Sequence, residues 1–449
     1  MKRIHILLLS AAILLGLNAS AQSFRSGYFL DNYVYGYRIN PAQVNDRGFL
    51  GLAIGNIDLQ NNSNIGISSL LFPVENGLVT GLNKAVSAEK FLGGLKNNNF
   101  MSFDETVNLL AIGISNGNTM HTIELNARAL LGFNLPKSLF KMAKKGGTGT
   151  FDIGDMYADA SLLGDVSYGF STHINKYFTI GARVHFLIGA VNANVSTAKS
   201  TLSLSENEIG ISPSIELKAS GIASGIIGSM ISAEDEFDIR NLSIVSAIGG
   251  YGAALDLGFE YKSDFGLEAM LSVTDFGAIS WSNGYSASAS GNYTYSGGTI
   301  GFEGNTITTD LEDIGDAISN SVHFTSGPAE RSMSILPFNA AAGLRYHMPF
   351  YNGLSVGALA TYHSAKYFSW YDARGGITFT PARIISLSGN AGYSSFGPVW
   401  GAGIDIHLGF LNLLAGIDSF IGKLGKIATV PVPVGSFVEN AHVGISITF

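Results

Sequence analysis

The residues of this chain that could do chemistry are few, and they do not cluster. There is no Cys, which excludes disulfides, thiolate chemistry and Cys-ligated metal sites. No H-E-x-x-H, G-x-S-x-G or Walker loop occurs, so the usual nucleophile, zinc and phosphate machinery is missing. His173, His185, His347, His363, His407 and His442 fall in different segments. They read as isolated polar side chains rather than as metal ligands. Glu234, Asp235, Glu236 and Asp238 offer the oxygens a hard cation takes, but the run reads more simply as a solvated loop. Gly249-Gly250-Tyr251-Gly252 sits inside a strand pattern and marks a bend or close packing. Lys137, Lys141, Lys144 and Lys145 read as one polar helix face rather than a phosphate site. No catalytic residue or metal ligand can be named, no cofactor is implied, and the chain is not expected to be an enzyme.

A second set of charges is more informative. Arg128, Asp165, Arg183, His185, Asp256, Glu260 and Asp405 each sit on the polar side of a segment that alternates strictly between apolar and polar or small residues. That period is the period of a strand, not of a helix. In 251–262, Tyr251, Ala253, Leu255, Leu257, Phe259 and Tyr261 oppose Gly252, Ala254, Asp256, Gly258, Glu260 and Lys262. In 178–190, 123–131 and 404–410, apolar rows oppose Arg183 and His185, Glu124 and Arg128, and Asp405 and His407. Rows of this kind suit a wall with lipid on one side and a wet lumen on the other. Paired across neighbouring strands the charges would rigidify the wall. Unpaired, they would line a water path.

The elements that must position these charges follow from the same pattern. In 441–449, Ala441, Val443, Ile445, Ile447 and Phe449 alternate with His442, Gly444, Ser446 and Thr448. The run is about as long as one membrane-crossing strand, roughly 9–11 residues. An open strand edge invites aggregation, and closure removes it. Turn compositions such as Ser115-Asn116-Gly117-Asn118 and Tyr351-Asn352-Gly353 separate the runs. The expected fold is all-β: a transmembrane antiparallel β-barrel of about 14 strands, with 12–16 allowed by the spacing. Short helices are expected over 83–96, 135–145 and 309–319. The longest irregular stretches, about 197–245 and 283–330, are rich in Ser, Gly and Asn, and their strand content stays open.

Composition agrees. Gly is 56 of 449 residues and charged residues are only 13%, against usual shares of roughly 7% and about a quarter. Lys2 and Arg3, the apolar run Ile4 to Leu17 and Ala19-Ser20-Ala21 read as a signal peptide over 1–21. The formal charge is −8, and cleavage would make it two units more negative. That argues against nucleic acid as a partner. The expected organisation is a signal peptide 1–21, an N-terminal hatch or plug 22–47 and an outer-membrane barrel 48–449. The hatch is unusual in holding Phe24, Tyr28, Phe29, Tyr33, Tyr35 and Tyr37 together with Asp31, Arg38, Asp46 and Arg47. Its charges are expected to meet Arg183 or Asp256.

Asn40-Pro41-Ala42, soon after the leader, resembles the N-terminal region of FadL-type outer-membrane barrels, although Gln43 stands where that family often has Gly. Other segments resemble a Bacteroidota-type branch of barrels with no assigned function. They are Phe91-Leu92-Gly93-Gly94-Leu95-Lys96, the helix after Leu135-Pro136, Thr179 to Val191, and Asp275-Phe276-Gly277-Ala278-Ile279-Ser280-Trp281. The resemblance implies a 14-stranded barrel in the cell outer membrane, with Asn40, Pro41 and Ala42 in a hatch that gates passage of long-chain fatty acids or other hydrophobic molecules. It also implies outer-membrane lipid and the barrel assembly machinery as partners, the latter reading Phe449 as an assembly signal. The leading function is therefore a passive channel for hydrophobic or amphipathic small molecules. The alternative is a non-transporting barrel acting as scaffold or secretion-machinery partner.

Overall fold

A computed structural model describes residues 24–31, 33–52, 57–65, 67–74, 77–146, 148–205, 208–232, 247–282, 284–295, 302–303, 306–307, 323–364, 369–382, 384–419, 423–427, 430–434 and 437–449. The leader 1–21, the helix expected over 309–319 and the acidic run 234–238 lie outside the described residues. No described helix is long and apolar enough to cross a membrane.

Fourteen antiparallel strands form one closed wall. They are β1 (Phe49–Leu52 and Ile57–Ser63), β2 (Asn98–Ser115), β3 (Thr119–Pro136), β4 (Tyr157–His173), β5 (Phe178–Thr197), β6 (Gly250–Lys262) and β7 (Leu267–Trp281). Then follow β8 (Ser332–Ile335 and Phe338–His347), β9 (Leu354–Ser364), β10 (Trp370–Ala382), β11 (Ile385–Ser394), β12 (Gly397–Leu408), β13 (Leu411–Ser419) and β14 (Phe437–Thr448). Each pairs with its neighbours in sequence. The ring closes where β14 meets β1, with Phe49 opposite Thr448, Leu50 opposite Ile447 and Ile57 opposite Val443. Closure pairs the backbone groups that lipid could not satisfy. The fold is thus a transmembrane antiparallel β-barrel.

The alternation decides the faces. Leu257 is 52% exposed and its neighbour Asp256 is 0%. Val443, Ile445, Ile447 and Phe449 point outward, while His442 and Ser446 are buried inside. The two ends of the barrel differ. At one, β2–β3, β4–β5, β6–β7, β8–β9, β10–β11 and β12–β13 are joined by tight turns. Asn116 Oδ1 caps the first, accepting from the N–H groups of Asn118 and Thr119 at 3.0 and 2.8 Å, and Gly117 supplies φ +80°. Across two such turns Lys176 pairs with Asp264 at 2.9 Å. Hydrogen bonds from Lys176 and the Tyr177 hydroxyl hold the Asp264 carboxyl below its usual range.

The other end carries the long connections, and here the structure supplies the strands that the sequence left open. Within 197–245 and 283–330, Ser214–Gly221, Gly284–Ser290 and Thr325–Ala329 extend the wall above β5. Gly149–Asp152, Thr201–Leu204, Ile209–Ser212 and Tyr293–Tyr295 make a separate four-stranded sheet. Its core is Leu202, Leu204, Ile209 and Ile211 with Met142 and Ile153. These strands are only 3 to 8 residues long, too few for alternation to stand out from chance. Two of the expected helices form but are shorter: α1 (Ala88–Gly93) and α2 (Lys137–Lys145). Ser87 caps α1, its side chain accepting from Lys90 N at 3.2 Å. Leu135 and Pro136 belong instead to β3.

Leu257→Arg places a cation in lipid at an estimated cost of about 2–4 kcal/mol. It should abolish the heat-modifiable folded band on electrophoresis, whereas lumen-side Glu260→Gln should fold like the wild type. A normal folded band for Leu257→Arg would invert the assigned faces.

Candidate functional site

Residues 24–47 do not join the wall. They run through the barrel interior, and Phe24, Phe29, Leu30, Tyr33, Val34, Tyr35, Tyr37 and Ile39 form one buried core with the lumen-side residues Phe49, Met120, Met270, Leu359 and Leu414. The segment is short 3₁₀ turns (Arg25–Phe29 and Gly36–Arg38) joined by irregular chain. Its shape is therefore set by contacts with the wall. Tyr33 and Tyr35 pack edge-on against the His442 ring, and Phe24 stacks on it at 5.5 Å between centroids.

Three polar anchors hold it. At the first, Arg374 lies between Asp372 and Asp418, donating at 2.7 and 2.6 Å. Asp418 in turn accepts from Arg25 N at 2.8 Å and from Ser26, whose Oγ also accepts from Asn390 at 2.7 Å. The Arg25 guanidinium stacks 4.3 Å over the Trp370 ring. At the second, Asp31 pairs with Arg345, and its N–H donates to Ser386 Oγ at 2.9 Å. At the third, Glu124 accepts from the Tyr37 hydroxyl at 2.7 Å, from Arg38 at 2.8 Å and from Arg183 at 2.8 Å. The hatch charges thus meet Glu124 and Arg345 rather than Arg183 or Asp256 directly.

Behind Glu124 the wall charges continue as one network. Arg183 donates to Asp256 at 2.7 Å. His185 bridges Asp165 at 2.9 Å and Asp256 at 3.1 Å, and Arg128 donates to Asp275 at 2.6 Å. Asp275 sits in a bulge of β7 at φ +63°, and its N–H donates to Asp256 at 2.7 Å. Arg128, Asp165, Arg183, His185 and Asp256 are therefore brought together. Glu260 stands apart beside Lys262 at 3.2 Å, and Asp405 stands with Asn412 at 2.7 Å. The side chains of His185, Asp256 and Asp275 approach within 4.8 Å of one another. Their donor and acceptor positions are taken up by Arg128, Arg183 and Asp165, which makes them an ion-pair network. Asp372, Arg374, Asp418, Arg345 and Asp275 were not singled out from the sequence. Their alternation was visible, but their partners lie on distant strands.

Asn40, Pro41 and Ala42 turn the segment toward β1. Asn40 Oδ1 accepts from Ala42 N at 3.1 Å, an Asx turn, and its amide donates to Phe259 O at 3.3 Å. Gly181 and Gly258 make room: a Cβ at Gly258 would lie 2.3 Å from Asn40 Oδ1 and 2.5 Å from Ala42 N. Gln43 ties the turn back by donating to Tyr33 O at 2.9 Å.

One large cavity borders the segment, and a second lies in the wall on the far side from it. The first, of about 1370 Å³, lies at the tight-turn end and is lined by Asp46, Arg47, Glu260, Lys262, Arg345 and His347 among others. The second, about 650 Å³ and almost wholly apolar, is a hollow in the wall. Its outward floor is Ala342, Ala358, Ala360, Ala373 and Gly375, between Phe259, Leu271 and Leu344. Directly behind it, Tyr28 packs on Gly343 and Phe29 on Gly376. Toward the long-loop end the lumen is filled by Leu163, Leu187, Ile279, Trp281 and Leu336.

The fold defines a membrane barrel whose N-terminal segment packs inside the lumen. Residues 41–418 match the model of a family of unknown function, DUF5723, and the chain belongs to that family. No curated protein matches it. Among solved structures it is similar to the Pseudomonas putida toluene transporter TodX (10% identity, TM-score 0.44, covering 96% of this chain and 95% of that one). It is also similar to the Ralstonia pickettii toluene transporter TbuX (12%, 0.41, 93% and 94%) and to a Pseudomonas aeruginosa FadL homologue (10%, 0.40, 96% and 97%).

Gly258→Val should push the Asn40–Ala42 turn off the wall while leaving the barrel folded. Trypsin would then cut after Arg38, detected by mass of the fragments; a variant as resistant as wild type would mean the turn is not held there. Arg374→Ala leaves Asp372 and Asp418 buried without their cation. The expected loss is about 3–5 kcal/mol, read as a lower urea midpoint.

Proposed function

We propose that this protein is an outer-membrane channel for hydrophobic or amphipathic small molecules and that residues 22–47 are its gate, following a leader 1–21 and closing a barrel formed by 48–449. The observation that carries the reading is a lumen blocked by a segment that contributes nothing to the wall. A large polar vestibule lies on one side of it and an apolar hollow backs onto Tyr28 and Phe29. A scaffold would gain nothing from keeping a plug separable from the wall.

The anchors suit a segment that can leave. Asp418 is already paired with Arg374, and Glu124 with Arg183, within the wall itself. A retreating segment therefore does not strand a lone buried charge, the costly event in breaking such pairs. Arg345 is the exception, and it borders the vestibule, where water reaches it. The aromatic rings resist the move, since burying one is worth about 1.5–3 kcal/mol. An apolar cargo that replaces the rings against the same surfaces offsets that cost. In this reading Asn40, Pro41 and Ala42 form the hinge side of the gate. Arg128, Asp165, Arg183, His185, Asp256, Glu260 and Asp405 keep the lumen in shape, and Phe449 serves assembly.

Deleting residues 24–42 should leave a heat-modifiable barrel whose planar-bilayer conductance rises from closed to a discrete open level. Liposomes holding the full-length protein should take up a fluorescent hydrophobic probe faster than protein-free liposomes do. Unchanged conductance in a correctly folded deletion would instead favour the non-transporting scaffold.

A further inference from the structure

The mature chain is acidic, yet two short segments hold half of its lysines. Lys84, Lys90 and Lys96 lie in 84–96, and Lys137, Lys141, Lys144 and Lys145 in 137–145, with Glu89 the single acid in either. These segments are 41 or more residues apart in sequence, but the fold joins them. Phe91 of α1 packs edge-on against Phe140 of α2 at 6.0 Å. Lys137 donates to Leu95 O at 3.1 Å and Lys144 to Asn83 O at 2.7 Å. Those two lysines lock the pair together. Lys84, Lys90, Lys96, Lys141 and Lys145 remain exposed around it.

The height of this patch is set by the wall. α2 begins at Lys137, immediately after β3 ends at Pro136, at the long-loop rim. Below it the outward row of β3 runs Leu135, Phe133, Leu131, Ala129, Ala127, Leu125 and Ile123, apolar throughout. The lysines thus stand where an apolar band gives way to headgroups. Long connections mark the outward end of such barrels and tight turns the inward end. An ordinary solvated face would interleave both signs, as the tight-turn end does with its Lys176–Asp264 pair.

Resting on the outer-membrane reading above, we propose that α1 and α2 form a cationic docking surface for the phosphorylated glycolipid headgroups of the outer leaflet. Phosphate monoesters supply the dense negative charge that clustered ammonium groups bind, and the lysine stems lie along the apolar rim while the heads reach the phosphates. One side of the barrel would be anchored in its leaflet, beside the long connections of the plugged pore.

The test uses the full-length folded protein in detergent micelles, titrated with lipid A and, separately, with the same lipid after phosphatase treatment. Wild type should bind the phosphorylated form at least tenfold more tightly, with the preference shrinking as salt rises. Lys90→Gln/Lys141→Gln/Lys145→Gln should lose that preference, the matching arginine triple should keep it, and Lys176→Gln at the opposite end should behave as wild type. Equal binding of both lipids, an unaffected glutamine triple, or full competition by inorganic phosphate at equal concentration would each overturn the proposal. Cell fractionation separates this from the reading beneath it. Protein found in the outer membrane without lipid preference sinks the docking surface alone, and protein absent from that fraction sinks the outer-membrane reading.

Discussion

Inside a bilayer there is no water to satisfy a peptide N–H or C=O, so each must find a partner in the chain. Everything else in this structure depends on that constraint. It makes β14 pair with β1, joining residues almost 400 positions apart, as in Phe49 opposite Thr448. A closed wall of strands then has an inside and an outside, and strict alternation assigns every side chain to one of them. The outside takes Leu255, Leu257 and Phe259; the inside takes Asp165, Arg183, His185 and Asp256.

A ring of fourteen strands encloses more space than its own side chains fill. In this protein the N-terminal segment occupies much of that space, and the charges follow from it. Buried ion pairs are weak evidence for stability, because desolvation offsets most of the attraction. What they specify is position. Asp418 meets the segment at Arg25 and Ser26, and Glu124 meets it at Tyr37 and Arg38. With irregular backbone and no strand register of its own, the segment is held in place by these directional contacts and by the rings around His442.

The lumen is consequently layered. A polar vestibule lies at the tight-turn end, the aromatic segment crosses the middle, and an apolar cluster around Trp281 lies toward the long connections. The wall carries small side chains in front of Tyr28 and Phe29, where Ala342, Ala360 and Ala373 of three adjacent strands align in register. Beyond the rim, the same asymmetry separates mixed charge on the tight turns from the lysines gathered by α1 and α2.

Much of this was legible in the residues themselves. Alternation is a local property, so the faces of 178–190 and 251–262, a strand count of 12–16 and the pairing of the last strand with the first could be read without coordinates. The aromatic density of 22–47 marked that segment as something other than a free tail. What stayed hidden depends on register between remote strands. Nothing local says that Arg374 sits between Asp372 and Asp418 or that Glu124, one lumen-facing residue among many, takes Arg38. Nor does it say that Asp275 turns inward at a bulge. The sheet built from 149–152, 201–204, 209–212 and 293–295 was equally unreadable, as was the meeting of two lysine segments across the rim. A strand's period belongs to its own sequence; which charge faces which is decided only when the ring closes and every register is set at once.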